Sequence, residues 1–277
     1  MTKQRAFEVS GIKSVIWLQD FHKTLKEVMA YAETIYINTN EHYRAVIETE
    51  TREARFVKWW KENYPAHKVE KSNPILQRLR SIKESEELDL IQKACDITEK
   101  GFRRLLSFVK PNVTEYEIEA ELIHEFIRNR ATGHAYNPII ASGKNANVLH
   151  YNDNNQECKA GDVILMDFGA EYANYAADLT RCIPVSGTFT PRQKDVYNAV
   201  LRVMKAATAM LKPGNTIEKY HVEVGKVMEE ELIGLGLLDK TAVSKQDPAA
   251  PLYKKYFMHG TSHFLGLDVH DIGDRYA

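Results

Sequence analysis

Val163-Ile164-Leu165-Met166-Asp167-Phe168-Gly169, followed across the polar break of Glu171 to Asn174 by Tyr175-Ala176-Ala177-Asp178-Leu179-Thr180-Arg181, sets one carboxylate inside each of two β-like runs. Aspartate is depleted in strands, and a buried carboxylate without a partner is costly enough to shift its pKa or to recruit a counter-charge. The two residues lie eleven positions apart. A hairpin centred between Tyr172 and Ala173 makes them a directly opposed cross-strand pair, with Cβ atoms about 4.5–5.5 Å apart and one cation within reach of both. The plainer reading is that Arg181 or a lysine neutralises one aspartate while water solvates the other. A second segment favours the cation. Met258-His259-Gly260-Thr261-Ser262-His263-Phe264-Leu265-Gly266-Leu267-Asp268-Val269-His270-Asp271 crowds three histidines into a Gly-punctuated, otherwise apolar stretch. Glycine lets backbone approach a site closely, and imidazole is the commonest metal ligand. His150 follows the strand-like Asn147-Val148-Leu149 and reads either as a turn residue or as a further member of the site. His22, His42, His67, His124, His134 and His221 sit in polar or helical contexts and read as solvated, with His134 the ambiguous one.

Two carboxylates and an imidazole form a hard, oxygen-rich donor set that suits Mn²⁺ or Co²⁺, with Zn²⁺ also compatible. Two such ions about 3.5–4 Å apart make a bound water nucleophilic near neutral pH and polarise a scissile carbonyl, which leaves neutral histidines to position substrate and stabilise the tetrahedral intermediate.

The rest of the chain narrows the classes. At 277 residues two domains are expected. Lys+Arg number 37 against 38 Asp+Glu, so there is no electrostatic footprint for nucleic acid or a membrane surface. Cys95, Cys158 and Cys182 show no paired spacing, which argues against a disulfide framework or thiolate metal site and suits a reducing compartment. No apolar run approaches the roughly 18 residues of a membrane span, and no signal-peptide core follows Met1. The expectation is a cytoplasmic protein.

Residues 1–82 alternate β-like runs (Ser14 to Leu18, Thr34 to Ile37) with charged helical stretches (His22 to Ala32, Glu50 to Asn63), an α/β pattern. Residues 83–277 form the second domain. Leu88, Ile91, Ala94, Ile97, Phe102 and Leu105 recur at helical spacing over Ser85 to Val109, and Thr114 with Glu117 predicts a capping box for a helix reaching about Arg130. Strands are expected over Pro138 to Gly143 and Asn147 to Tyr151, and helices over Lys194 to Leu211 and Ile217 to Ile233.

The order Leu149-His150-Tyr151, Met166-Asp167-Phe168-Gly169, Ala177-Asp178-Leu179-Thr180-Arg181 and His259 to Asp271 resembles the Xaa-Pro aminopeptidases (aminopeptidase P) of the pita-bread metallopeptidase family M24. The resemblance covers roughly residue 80 to the end, and residues 1–82 resemble the latter part of that family's creatinase-like N-terminal domain. It implies an α+β pita-bread catalytic domain. It implies two divalent metal ions, Asp167 on one, Asp178 bridging both and His263 on the other. His150, His259 and His270 become the catalytic histidines, shaping a proline pocket and bonding the peptide carbonyl and the intermediate. The implied reaction is removal of an N-terminal residue from peptides with proline second, by a homo-oligomeric enzyme. The family's two further ligands are glutamates beyond the histidine cluster, and no glutamate follows Glu231 here. Asp271 and Asp274 stand too close to His270 to replace them. The chain is therefore expected to be a fragment, C-terminally incomplete and inactive alone. The rivals are a prolidase, from which Ser262 weakly distinguishes it, and a non-catalytic pita-bread binding module.

Overall fold

The computed structural model describes residues 2–39 and 48–273, so His42 and Asp274 lie outside the described residues. The chain forms two compact units, Met1–Arg78 and Leu79–Ala277.

In the first unit α1 (Lys3–Ser10) and α2 (Phe21–Met29) precede β1 (Thr34–Ile37), and α3 (Arg52–Asn63) leads to β2 (Lys68–Lys71). β1 and β2 pair in parallel, with Ile35 opposite Val69. Trp60 on α3 is fully buried and stacks on Tyr64 at 4.5 Å between ring centroids. The strand expected over Ser14 to Leu18 does not form; among the described residues this run pairs with nothing, and Ile16, Trp17 and Leu18 are exposed. His67, expected in solvent, is half-buried and bonds the Met29 carbonyl oxygen at 3.0 Å.

α4 (Asn73–Ser81) leads into α5 (Ser85–Phe108), and α6 (Glu115–Arg128) follows. Both α5 and α6 begin with a capping box; at α6 the Glu117 carboxylate accepts from the Thr114 backbone amide at 2.7 Å, as the sequence predicts. Gly101 is where α5 and α6 touch, since a Cβ there would lie 2.7 Å from Leu122 Cδ1. β3 (Gly133–His134), β4 (Ile139–Ser142), β5 (Val163–Phe168), β6 (Ala170–Tyr172), β7 (Tyr175–Ala176) and β8 (Leu179–Pro184) make two three-stranded antiparallel sheets, in order β4-β5-β8 and β3-β6-β7.

Along β5, Ile164, Met166 and Phe168 are fully buried and join Ile97, Leu105, Ile118, Leu122 and Phe126 of α5 and α6 in one core. Side chains alternate across a strand, so Asp167 faces away from those helices. α7 (Pro191–Met210) and α8 (Ile217–Gly234) pack around Val203, Ala207, Val224 and Met228 as a second core, and the short α9 (Lys240–Val243) follows. Asn147 to Tyr151 is not a strand. A 3-10 turn over Gly143–Asn147 runs into a further turn, Val148 and Leu149 are exposed, and His150 takes φ 52°. Two apolar residues without a facing partner do not make a strand. All three cysteines are free, and no helix among the described residues is long and apolar enough to cross a membrane.

Candidate metal centre

β5 and β8 belong to one ribbon, continued by β6 and β7, and Gly169 links β5 to β6. There the sheet partner changes: β5 lies beside β4, while β6 lies beside β3. The Ala170 amide donates sideways to Thr98 Oγ1 of α5 at 2.9 Å, and the Ala177 carbonyl crosses so close to Gly169 that a Cβ there would fall 1.7 Å from its oxygen. Glycine is required because backbone occupies the space of any side chain.

The ribbon turns at Ala173 and Asn174, both at positive φ (49° and 70°), between the opposed Tyr172 and Tyr175. That is the backbone of a two-residue hairpin turn whose twist matches its strands. The expected centre between Tyr172 and Ala173 is thus displaced by one residue. Asp167 faces Thr180 instead of Asp178, and the two aspartates stand diagonally on one face of the ribbon. Diagonal neighbours are about 7–8 Å apart, further than directly opposed ones. Tyr136, from the β3 to β4 connection, spans them: its hydroxyl lies 2.5 Å from Asp167 Oδ1 and 2.9 Å from Asp178 Oδ1.

His263 Nε2 lies 3.0 Å from Asp178 Oδ2, its Nδ1 lies 2.9 Å from the Phe264 carbonyl oxygen, and its ring stacks on His270 at 4.0 Å. Both ring nitrogens face acceptors, which suits the doubly protonated imidazolium. Consistent with this, the Asp178 hydrogen bond, aided by the Phe264 carbonyl, raises the His263 pKa above its usual value. Burial is the largest influence on both carboxylates. At Asp167 it prevails, reinforced by the Asp178 charge, and the pKa is raised. At Asp178 the bonds from His263 and Tyr136 and the two histidine charges outweigh it, and the pKa falls. Burial, then the two carboxylates, drives the Tyr136 phenol strongly upward, so it remains a donor.

The structure thus brings Asp167, Asp178, His263 and His270 into one contiguous chain of contacts. It gives His150 and His259 no contact with that chain; both are exposed. Tyr136 escaped the sequence reading altogether, because a tyrosine three residues after a glycine carries no spacing signal. His134 packs edge-on against Phe126 and His221 bonds Thr261 Oγ1 at 2.9 Å, so neither is merely solvated. Among the described residues no lysine or arginine pairs with Asp167 or Asp178, which sets aside the reading that Arg181 neutralises one of them. The donor chemistry fits a hard divalent cation. The three side chains are nevertheless turned onto one another, and no three histidine, cysteine, aspartate or glutamate side chains among the described residues are arranged to hold an ion.

The family model for metallopeptidase family M24 matches residues 89–276. The chain belongs to metallopeptidase family M24. It is similar to the Xaa-Pro aminopeptidase of Haemophilus influenzae, 41% identical over 200 residues, which are 72% of this chain and 46% of that protein. Proline aminopeptidase P II from Yersinia pestis superposes with a TM-score of 0.85 at 30% identity, covering 99% of this chain and 63% of that one. Escherichia coli aminopeptidase P, solved zinc-substituted with product and separately with the inhibitor Pro-Leu, gives a TM-score of 0.84 at 30% identity over 97% of this chain and 61% of that one. The α+β architecture is therefore the M24 pita-bread fold. The chain spans about half to two thirds of the length of these relatives.

Proposed function

We propose that the complete polypeptide is a metal-dependent aminopeptidase that hydrolyses the bond between an N-terminal residue and a following proline. The observation that supports this best is the contiguity of Asp167, Asp178 and His263 at the break of the ribbon, in a chain similar to Xaa-Pro aminopeptidases throughout that region. In this reading Asp167, Asp178 and His263 would hold two divalent ions, with Asp178 contributing to both. Mn²⁺ suits the set, and Co²⁺ or Zn²⁺ would also bind. The ions would supply Lewis acidity and a water activated near neutral pH.

The protein's own side chains do the rest. His270, stacked on His263, would donate to the reacting carbonyl, and His150 and His259, exposed and clear of that cluster, would act from the substrate side. Tyr136 keeps its proton and fixes the spread of the two carboxylates.

Alone, the 277 residues should not turn over. Two carboxylates offer charge −2 against the +4 of two ions, and no glutamate follows Glu231 to add to them.

The decisive experiment is an assay of the complete polypeptide with Mn²⁺ on Xaa-Pro-Yaa peptides, Xaa-Pro dipeptides and Xaa-Ala-Yaa peptides. Cleavage of the first alone supports the proposal. Preference for dipeptides would make the protein a prolidase, and metal-independent binding without cleavage would make it a non-catalytic module. Normal turnover by residues 1–277 would refute the ligand count.

A further inference from the structure

The histidine-bearing stretch from Met258 to Asp271 contains neither helix nor strand, yet His263 and His270 stack on each other and His263 bonds Asp178. Backbone geometry alone does not hold such a segment. Three anchors do. The Ala176 amide of β7 donates to the Gly266 carbonyl oxygen at 2.9 Å. Tyr220 and His221 of α8 bond Ser262 and Thr261. The third anchor is ionic and sits at the far end of the stretch, beside His270.

The Asp271 side chain is 1% exposed. Lys83 Nζ donates to its Oδ2 at 2.7 Å and also to the Arg80 carbonyl oxygen at 2.7 Å, while Arg80 Nη2 donates to its Oδ1. The same Arg80 nitrogen reaches the exposed Asp268 at 2.6 Å. The Asp271 amide closes the loop on the Phe264 carbonyl oxygen at 3.0 Å, next to His263. Gly266 leaves room for this arrangement, since a Cβ there would lie 2.1 Å from Asp271 Oδ2 and 3.0 Å from Lys83 Cε. One residue therefore links both ends of the His263 to His270 segment to the junction of α4 and α5, its carboxylate holding Lys83 and Arg80 and its backbone amide holding Phe264. A sealed carboxylate with two cationic donors is a rigid fixture, unlike an exposed pair.

We propose that Asp271, clamped by Lys83 and Arg80, is a positioning residue that sets the His263 and His270 rings against Asp178, and through them governs metal retention and turnover. The proposal rests on the metallopeptidase reading for its effect on activity. Its structural part does not.

The test uses the complete polypeptide with Asp271→Asn, Lys83→Met, Lys83→Arg and the Asp271→Asn/Lys83→Met double variant. Asp271→Asn and Lys83→Met should each lower Mn²⁺ affinity and kcat/KM by about 10- to 100-fold, the range for groups that orient metal ligands. The double variant should lose little more than either single one, and Lys83→Arg should recover most of the loss. Ring resonances of His263 and His270, assigned by single histidine replacements, should move together in Asp271→Asn while those of His67 and His134 stay fixed. Unmoved His263 and His270 signals with full Mn²⁺ affinity would overturn the proposal, and so would shifts spread over every histidine. If Asp271→Asn does not fold, the lysine pair decides by the same signals. A wild-type polypeptide that cleaves no Xaa-Pro bond would defeat the functional reading, while the ring signals would still decide the positioning role.

Discussion

The carboxylates and the histidines of the candidate metal centre are held by different means. Asp167 and Asp178 stand on a ribbon whose register, turn and close crossing at Gly169 leave them no freedom, with Ile164, Met166 and Phe168 buried beneath. His263 and His270 stand on an irregular stretch held by a few side-chain bonds and isolated backbone bonds. Backbone pairing makes the acidic half of the site part of the fold's stability, whereas the imidazole half depends mainly on individual side-chain anchors.

Gly169→Ala should break this contrast most severely. Its Cβ would coincide with the Ala177 carbonyl oxygen, so the ribbon must part. A loss of more than about 4 kcal/mol is expected, at the extreme of single substitutions, and chemical denaturation would measure it. A Gly169→Ala protein of near wild-type stability would mean the crossing is looser than drawn.

Next comes Asp178→Asn in the complete polypeptide. An amide cannot bridge two cations, so turnover and metal content should fall together while the fold persists, as kinetics beside metal analysis would reveal. Retained turnover would remove the bridging role.

His270→Ala should be milder and of another kind, with metal retained and kcat lower by about 10²- to 10³-fold, the scale for a lost oxyanion donor. Loss of metal in that variant would place the ring among the ligands instead.

The smallest effect is a pH dependence of metal binding. His263 must lose a proton to bind a metal, and its bond to Asp178 raises its pKa above 6.5. Below that raised pKa, affinity should climb about tenfold per pH unit, flattening above it. Titration calorimetry in buffers of different protonation enthalpy would count the proton released. A flat profile between pH 6 and 8 would exclude His263 as the competing group.

Legibility in the sequence follows the same division. The helices of the larger unit were legible because caps and periodicity are local: Thr114 with Glu117 marks the start of α6, and the apolar positions of α5 recur on one face. The ribbon was legible as a ribbon but not in register, since Glu171 to Asn174 offers two centres and alanine at positive φ gives no warning. Val148 and Leu149 imitate a strand because hydrophobicity does not reveal whether a partner exists. Tyr136 and the Lys83 to Asp271 clamp were invisible for a different reason. Their meaning lies in partners 31, 42 and 188 residues away, and no short-range pattern encodes such distances.

The turn at Ala173 and Asn174 also dictates an order of assembly. A hairpin closes in about 1–10 μs, so the two aspartates meet almost as soon as their ribbon leaves the ribosome. His263 is 85 residues downstream of Asp178. At about 5–20 residues per second its synthesis takes a further 4–17 s or so. Tyr136 precedes both aspartates in the chain and its hydroxyl lies within hydrogen-bond reach of each, so the nascent acidic pair already has a shared partner throughout that interval. The His263 imidazole is thus the last of these four side chains to be made.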